Sequence, residues 1–193
     1  MSHEAKTLWE SDGKTPDGNP FISIKQARGY YNYASRGGQD SVFFILYDRN
    51  KGQFALIKEA KPPLDERLGE SALLTTAFGG SIDSEDSYPE IVQTETLEEA
   101  GYEVPLENIH YMGSTLVSSQ MDQIANGYLV DVTNIEKTQT AEYEQANATE
   151  EFVNNEVIWM DYQKVMNNSD WKSIFLMAKL MNELQEQEEV SDA

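Results

Sequence analysis

The sequence has no cysteine, and its only histidines are His3 and His110. The absence of cysteine excludes disulfides, thiolate zinc sites and cysteine nucleophiles, and two histidines are too few for a histidine-rich metal site. No segment approaches the ~20 apolar residues of a membrane span, and residues 1–6 lack the basic and apolar regions of a secretion signal. We therefore expect a cytoplasmic protein that does not insert into membranes.

Basic residues are also scarce. The 193 residues include 14 Lys and Arg against 34 Asp and Glu, which gives a formal net charge of −20. Proteins bind a nucleic-acid backbone through basic side chains that displace counterions from its phosphates, so this composition argues against a nucleic-acid partner. An acidic protein can still bind a phosphorylated small molecule if a divalent cation lies between the two.

The length favours one domain with extensions, and a hydrophobic content of 39% indicates a folded chain. We expect an N-terminal extension over residues 1–40 that mediates dimerisation. A main domain follows over residues 41–184, and an acidic, frayed tail covers residues 185–193.

Local patterns predict the elements of the main domain. Strand patterns occupy residues 42–47, 54–57, 109–117, 127–132 and 157–160, and a short strand or hairpin is expected near 28–36. The first two strands are close enough for a hairpin, and Phe78-Gly79-Gly80 is typical of a turn. Helices are expected over 88–100 and 171–184, the first beginning at the capping box of Ser87 and Glu90 and ending at Gly101. The polar segment 136–155 is too long for an ordinary connection, so we expect it to be functional.

Three carboxylates occupy the helix predicted over residues 88–100. At ~100° per residue, Glu95, Glu98 and Glu99 fall within an arc of ~100° on one face. Such a cluster repels itself by ~0.2–0.5 kcal/mol per pair, so the face is either simply solvated or holds a cation. Oxygen ligands at this density suit Mg²⁺ or Mn²⁺, which also bind diphosphate oxygens.

The context of these carboxylates resembles a known motif. The chain reads Gly80-x5-Asp86-x7-Thr94-Glu95-Thr96-x-Glu98-Glu99-x-Gly101-Tyr102. This segment resembles the Nudix box, G-x5-E-x7-R-E-U-x-E-E-x-G-U, of the Nudix hydrolases. The resemblance implies an α/β/α sandwich with a mixed central sheet, an α/β (α+β) fold preceded here by an N-terminal β extension. It also implies hydrolysis of a nucleoside diphosphate linked to another group, with Mg²⁺ or Mn²⁺ as cofactor.

Similarity outside the box points to the ADP-ribose pyrophosphatase branch, whose members are commonly intertwined homodimers. The sequence Ala55-Leu56-Ile57-Lys58-Glu59-Ala60-Lys61-Pro62-Pro63 is similar to the strand and basic turn before the box, and Phe78-Gly79-Gly80-Ser81-Ile82-Asp83 stands in the place of its P-A-G-x-I-D turn.

The resemblance to this branch also implies roles for individual residues. The Gly79 carbonyl, Glu95 and Glu99 would bind metal, with Glu98 as a further or water-mediated ligand. Glu151, on the long loop, would activate the attacking water, and Glu150 is the second candidate. Lys61 and Arg36 are candidates for direct phosphate contacts. Tyr30, Tyr31 and Tyr33 either stack on the substrate across a dimer interface or pack in a core.

Several positions depart from the pattern. Thr94 replaces its arginine and Asp86 its glutamate, two residues that tend to pair and orient the helix glutamate in that family. Gln123 stands at a further acidic position and cannot serve as an anionic ligand. Thr96 replaces an apolar residue.

These observations favour a metal-dependent hydrolase of a small nucleotide, with ADP-ribose or a nucleotide sugar as expected substrate. Another nucleoside diphosphate derivative, such as a dinucleoside polyphosphate, stays open. The alternative is a nucleotide-binding sensor or scaffold that has lost catalysis, which the replacements at Thr94, Asp86 and Gln123 favour. A third reading, an acidic protein that mimics DNA, rests on net charge alone.

Overall fold

The protein is described by a computed structural model that covers residues 5–15, 18–68, 73–82, 84–138 and 156–191. Its strands are β1 Lys6–Glu10, β2 Ser23–Ala27, β3 Tyr31–Ser35, β4 Ser41–Asp48, β5 Gln53–Ala60, β6 Leu73–Thr76, β7 Phe78–Ser81, β8 Ile109–Leu116, β9 Ile124–Asp131 and β10 Glu156–Met160. Its α-helices are α1 Asp65–Leu68, α2 Tyr88–Glu95, α3 Tyr162–Met166 and α4 Trp171–Ser191. A π-helical turn covers Thr96–Ala100, and 3₁₀ turns cover Pro62–Leu64 and Leu106–Asn108.

The central sheet is mixed. Its strand order is β10-β5-β4-β9-β8, and β4 and β9 are parallel whereas the other pairs are antiparallel. The predicted β4–β5 hairpin is confirmed, and β8, β9 and β10 lie where the strand patterns predicted them. The alternation of apolar residues therefore identified these strands correctly.

Between β4 and β5 the sheet is split. The two strands pair only at Leu46–Asp48 with Gln53–Ala55, and beyond this point β7 pairs with β4 whereas β6 pairs with β5. The chain crosses the split at Ala77, the single residue between β6 and β7. The prediction of a turn at Phe78-Gly79-Gly80 is wrong, because main-chain pairing with Val42–Phe44 holds this segment extended.

Helices cover both faces of the sheet. Alternate residues of β4 point to opposite sides, so Val42, Phe44 and Leu46 pack with α2, and Phe43 and Ile45 pack with α4. Contacts from α2 and the π-helical turn are made by Ile91, Val92 and Ala100, and those from α3 and α4 by Val165, Leu176 and Met177. The predicted α/β/α sandwich with a mixed central sheet is confirmed.

The helix predicted over 88–100 changes geometry near its middle. Its start is as predicted, with the Glu90 carboxylate accepting hydrogen bonds from the Ser87 N–H at 2.8 Å and the Ser87 hydroxyl at 2.6 Å. The regular α-helix ends at Glu95, and the π-helical turn leads to Gly101, which ends it at φ 78°. The buried Thr96 hydroxyl donates to the Val92 carbonyl at 2.6 Å, a side-chain bond of the kind that bends helices. Thr96, which replaces an apolar residue of the box, therefore lies where the helix changes from α-helical to π-helical geometry.

The N-terminal extension forms its own antiparallel sheet in the order β1-β2-β3. The hairpin expected near 28–36 is β2–β3, which turns at Arg28 and Gly29, both with positive φ. Strand β1 has no counterpart in the sequence-based prediction. It pairs with β2 at the edge of this sheet and is exposed along its whole length.

At the other end, α4 continues to Ser191, beyond the predicted end at 184. Most of the polar segment 136–155, including Glu150 and Glu151, lies outside the described residues. The assignment of the general base to Glu151 or Glu150 therefore stays a prediction. The division of the chain into three parts also stays a prediction.

Candidate active site

Glu95 and Gly80 are in direct contact, which brings α2 against β7. A methyl group added to Gly80 would lie 2.3 Å from Glu95 Oε1 and 2.8 Å from its Cγ and Cδ. No side chain larger than hydrogen fits there without displacing the carboxylate. The first glycine of the sequence pattern therefore leaves room for the Glu95 carboxylate over its main chain.

Glu99 lies beside β7, the strand that contains Gly79 and Gly80 and is called the glycine strand below. Burial and the charges of Glu95 and Glu59 raise the pKa of Glu99 to about 8, whereas a hydrogen bond from the Gly79 main chain and the charge of Lys61 act in the opposite direction. Its Oε2 atom is buried and has no hydrogen-bond partner among the residues that the structure describes. A buried oxygen without a partner costs free energy, which a proton or a cation would recover.

A fourth carboxylate, Glu59, stands next to this cluster at the end of β5. It accepts hydrogen bonds from the Lys61 ammonium and from the Thr76 hydroxyl, the latter at 2.9 Å. Lys61, a predicted phosphate contact, is therefore close to the acidic cluster and paired with Glu59 there.

Arg36, the second predicted phosphate contact, lies at the other end of the glycine strand. Its Nη1 donates to the Ser81 hydroxyl at 3.3 Å, directly after Gly80. The N-terminal sheet is fixed here because Ser35 Oγ donates to Asp122 Oδ2 at 2.6 Å and the main chain of Ala34 exchanges hydrogen bonds with the loop before β9. Lys61 and Arg36 thus flank the acidic residues.

The aromatic cluster of the extension is only partly buried. Tyr30 and Tyr31 are exposed, and the Tyr31 hydroxyl donates to the Ser119 carbonyl at 2.5 Å, whereas Tyr33 is half-buried. Tyr30 and Tyr31 do not form a core within the described residues of this chain.

The predicted ligand set assembles in part. Glu95 and Glu99 both lie at the glycine strand, and Glu98 is exposed. The Gly79 N–H donates to Glu99, and the role of the Gly79 carbonyl as a metal ligand stays a prediction. Across the described ranges, no three acidic or histidine side chains are close enough to hold a metal. A divalent cation would fit the unpartnered oxygen of Glu99 together with Glu95, and water would have to complete its coordination.

The positions that depart from the box make local contacts. Asp86 accepts a hydrogen bond from the Ser84 hydroxyl at 2.9 Å, and Thr94 is exposed. Gln123 is buried, and its main-chain carbonyl accepts a hydrogen bond from the Val117 N–H at 3.1 Å. Glu95 packs over the main chain of Gly80.

Sequence analysis did not select Glu59, Thr76 or Lys172 for the site. Glu59 lies two positions before Lys61, so its proximity to that lysine could have indicated it. Lys172, whose pKa responds to the charges of Lys61 and Glu59, had no such signal because it is more than a hundred positions away along the chain.

The architecture is similar to that in the crystal structure of an ADP compounds hydrolase, with a TM-score of 0.63. The match covers 95% of this chain and 96% of that chain at 12% sequence identity. The fold is Nudix-like. No protein-family model matches the sequence, and no curated protein matches it significantly. Within the described part of the chain, no helix has the length and hydrophobicity of a membrane span.

Proposed function

We propose that this protein hydrolyses the phosphoanhydride bond of a nucleoside diphosphate derivative in a divalent-metal-dependent reaction, with ADP-ribose or a nucleotide sugar as substrate. The observation that carries the proposal is the pair of Glu95 and Glu99 against the glycine strand, with a buried, unpartnered oxygen on Glu99. The similar fold of an ADP compounds hydrolase supports the choice of substrate class.

In this proposal the metal is Mg²⁺ or Mn²⁺, held by Glu95 and Glu99 with Glu98 reaching it through water. A bound divalent ion would supply positive charge for the diphosphate and lower the pKa of a coordinated water. Lys61 and Arg36 would contact the phosphates from the two sides. A carboxylate of the long loop, Glu151 or Glu150, would accept the proton of the attacking water. Water adds to one phosphorus, and ADP-ribose would give AMP and a sugar phosphate.

A second candidate is a nucleotide-binding sensor or scaffold without turnover. Two observations favour it: Glu98 is exposed, and no group of three ligands forms among the described residues. Its binding site would involve the same residues, with Arg36 and Lys61 as the phosphate contacts. Such a protein would bind the nucleotide without consuming it.

Product formation from ADP-ribose and from a panel of nucleotide sugars distinguishes the hydrolase from the nucleotide-binding sensor. The purified protein is incubated with Mg²⁺, Mn²⁺ or chelator, beside Glu99→Gln and the exposed control Glu107→Gln. The hydrolase requires metal-dependent AMP formation that Glu107→Gln retains and Glu99→Gln loses by about 10²-fold or more. Nucleotide binding by calorimetry without any product would establish the sensor instead.

We also propose that the chain acts as a cytoplasmic homodimer assembled through the N-terminal sheet. Strand β1 exposes Leu8 at 44% and Trp9 at 55% of their surface, and clustered exposed apolar side chains are typical of an interface. A second copy that covers this face would bury both side chains.

A further inference from the structure

Ser35, the residue before Arg36, makes side-chain bonds that fix the main chain on both sides of this arginine. It is the last residue of β3 and is fully buried. Its hydroxyl donates to Asp122 Oδ2 at 2.6 Å and accepts the Gly37 N–H at 3.2 Å. One hydroxyl group therefore joins the residue that follows Arg36 to the carboxylate of Asp122.

The bond from Ser35 to Asp122 is of the stronger kind. A donor–acceptor distance of 2.6 Å lies in the range of hydrogen bonds from a hydroxyl to an ionised carboxylate, which are roughly twice as strong as bonds between neutral groups. Because the hydroxyl proton is directed to Asp122, a lone pair of the same oxygen is free to accept the Gly37 N–H. The Asp122 carboxylate thus orients the hydroxyl that holds Gly37.

Main-chain bonds attach the same loop to the N-terminal sheet independently of the Asp122 side chain. The Ala34 N–H donates to the Gln120 carbonyl at 2.8 Å, and the Asp122 N–H donates to the Ala34 carbonyl at 3.3 Å. Replacing the Asp122 side chain leaves these two bonds in place. A substitution there consequently tests the carboxylate and not the attachment of the extension as a whole.

The guanidinium of Arg36 is directed at the acidic residues. Its Nη1 donates to the Ser81 hydroxyl at 3.3 Å, and Ser81 directly follows Gly80, over which the Glu95 carboxylate packs. An arginine side chain loses much conformational freedom when it is held in one place, and that loss reduces affinity when it occurs on binding. A main chain that is fixed on both sides of Arg36 lowers the part of this cost that falls on ligand binding.

We propose that Asp122 is a positioning residue that acts through Ser35: its carboxylate fixes the main chain around Arg36 and thereby holds the guanidinium beside the glycine strand, where it contacts the phosphates of the substrate. The identity of the anion rests on the proposed function. The connection from Asp122 through Ser35 to Arg36 rests on the contacts within this chain.

Steady-state kinetics with ADP-ribose and Mg²⁺ test the effect on binding. Asp122→Ala is expected to raise KM about fivefold while kcat changes less than about twofold, because Arg36 contacts the phosphates in the ground state and the transition state alike. In the Arg36→Met background the same substitution should have little effect on KM, since no guanidinium is left to position. Asp122→Asn keeps an acceptor for Ser35 and should stay near the wild-type KM.

Asp12→Ala, at an exposed aspartate of the same N-terminal extension, is the matched control and should leave KM unchanged. A KM increase from Asp122→Ala that is equal with and without Arg36 would overturn the proposal, because the carboxylate would then act by another route.

The ¹⁵N order parameter of the Arg36 Nε–H, measured by NMR without nucleotide or metal, tests the positioning independently of turnover. Asp122→Ala should lower it by about 0.2 or more, towards the value of a flexible group, whereas Asp12→Ala should not change it. Arg49, which pairs with Asp131 at 2.7 Å, is the internal reference. An unchanged order parameter in Asp122→Ala would refute the positioning role. Absence of ADP-ribose turnover in the wild-type protein would refute the proposed function and leave this measurement to decide the role of Asp122.

Discussion

Glu99 retains its proton to about pH 8 because it is buried beside two other carboxylates, Glu95 and Glu59. In the unfolded chain it would titrate near its ordinary value of 4.5. Between these two pH values the folded state binds more protons than the unfolded state, so the free energy of unfolding falls as pH rises and levels off above pH 8. The total cost at high pH is on the order of 4 kcal/mol.

Replacing Glu99 by Gln should remove this penalty. Relative to wild type, Glu99→Gln is expected to gain on the order of 3 kcal/mol of stability between pH 5 and pH 8.5, because the amide has no charge to bury. Urea unfolding at both pH values, in chelator, measures the difference. The exposed Glu107→Gln should show almost no gain, and an equal response of the two variants would contradict the burial of Glu99.

Gly80→Ala should disturb Glu95 directly. The new methyl would lie 2.3 Å from Glu95 Oε1, so the carboxylate must move, and metal-dependent turnover should fall by about 10²-fold. Gly79→Ala adds the same methyl 3.2 Å from the Val42 carbonyl and does not meet Glu95, so it should lose less activity. Turnover rates at saturating Mg²⁺ test this prediction. Equal losses of activity in the two variants would show that the position of the Glu95 carboxylate does not determine the rate.

At the scale of elements, the start of α4 couples the two sides of the sandwich. Asp170 caps this helix and also accepts the Ala77 N–H from the split in the sheet. Asp161 has the simpler role, since its carboxylate caps α3 through the Lys164 N–H at 2.9 Å. Asp170 thus joins its helix cap to a second element through Ala77, whereas Asp161 caps α3 through a neighbour in the same helix.

Asp170→Ala should therefore be the more destabilising of two cap deletions. Loss of the cap costs about 1 kcal/mol, and an unsatisfied Ala77 N–H adds about 1–3 kcal/mol, whereas Asp161→Ala should lose the cap and an exposed ion pair with Lys164, which contributes little. Free energies of unfolding in urea compare the two, with Asp170→Asn retaining an acceptor. If Asp161→Ala proved as destabilising as Asp170→Ala, the bond to Ala77 would be without energetic consequence.

At the scale of the whole molecule, the net charge of −20 opposes self-association, whereas the exposed β1 favours it. The Debye length at 0.15 M salt is about 8 Å, so repulsion between exposed charges of two copies is largely screened at greater distances. We expect a dimer with twice the 21.8 kDa mass of the chain.

The double variant Leu8→Glu/Trp9→Glu should convert the dimer to a monomer, since it places charge on the face to be buried. Light scattering coupled to size-exclusion chromatography measures the mass. Leu106→Glu, at another exposed apolar position, should leave the dimer intact. A wild-type protein that elutes as a 21.8 kDa monomer would exclude the proposed assembly.

Features that depend on near neighbours in the chain were predictable. The β4–β5 hairpin, the capped start of α2 and its end at Gly101 follow from the spacing of apolar, polar and glycine residues over a few positions. The prediction of a turn at Phe78-Gly79-Gly80 failed because glycine pairs favour turns locally, whereas pairing with β4 held the segment extended.

Tertiary structure alone decided which charges meet. Local spacing placed Glu95, Glu98 and Glu99 on one helix, but the π-helical turn and the packing against β7 left Glu98 exposed and buried Glu99. Glu59 joins this cluster from β5, a strand far from α2 in the sequence, where the sheet splits between β4 and β5. No local pattern encodes such contacts, because they arise only when distant segments pack around a common core.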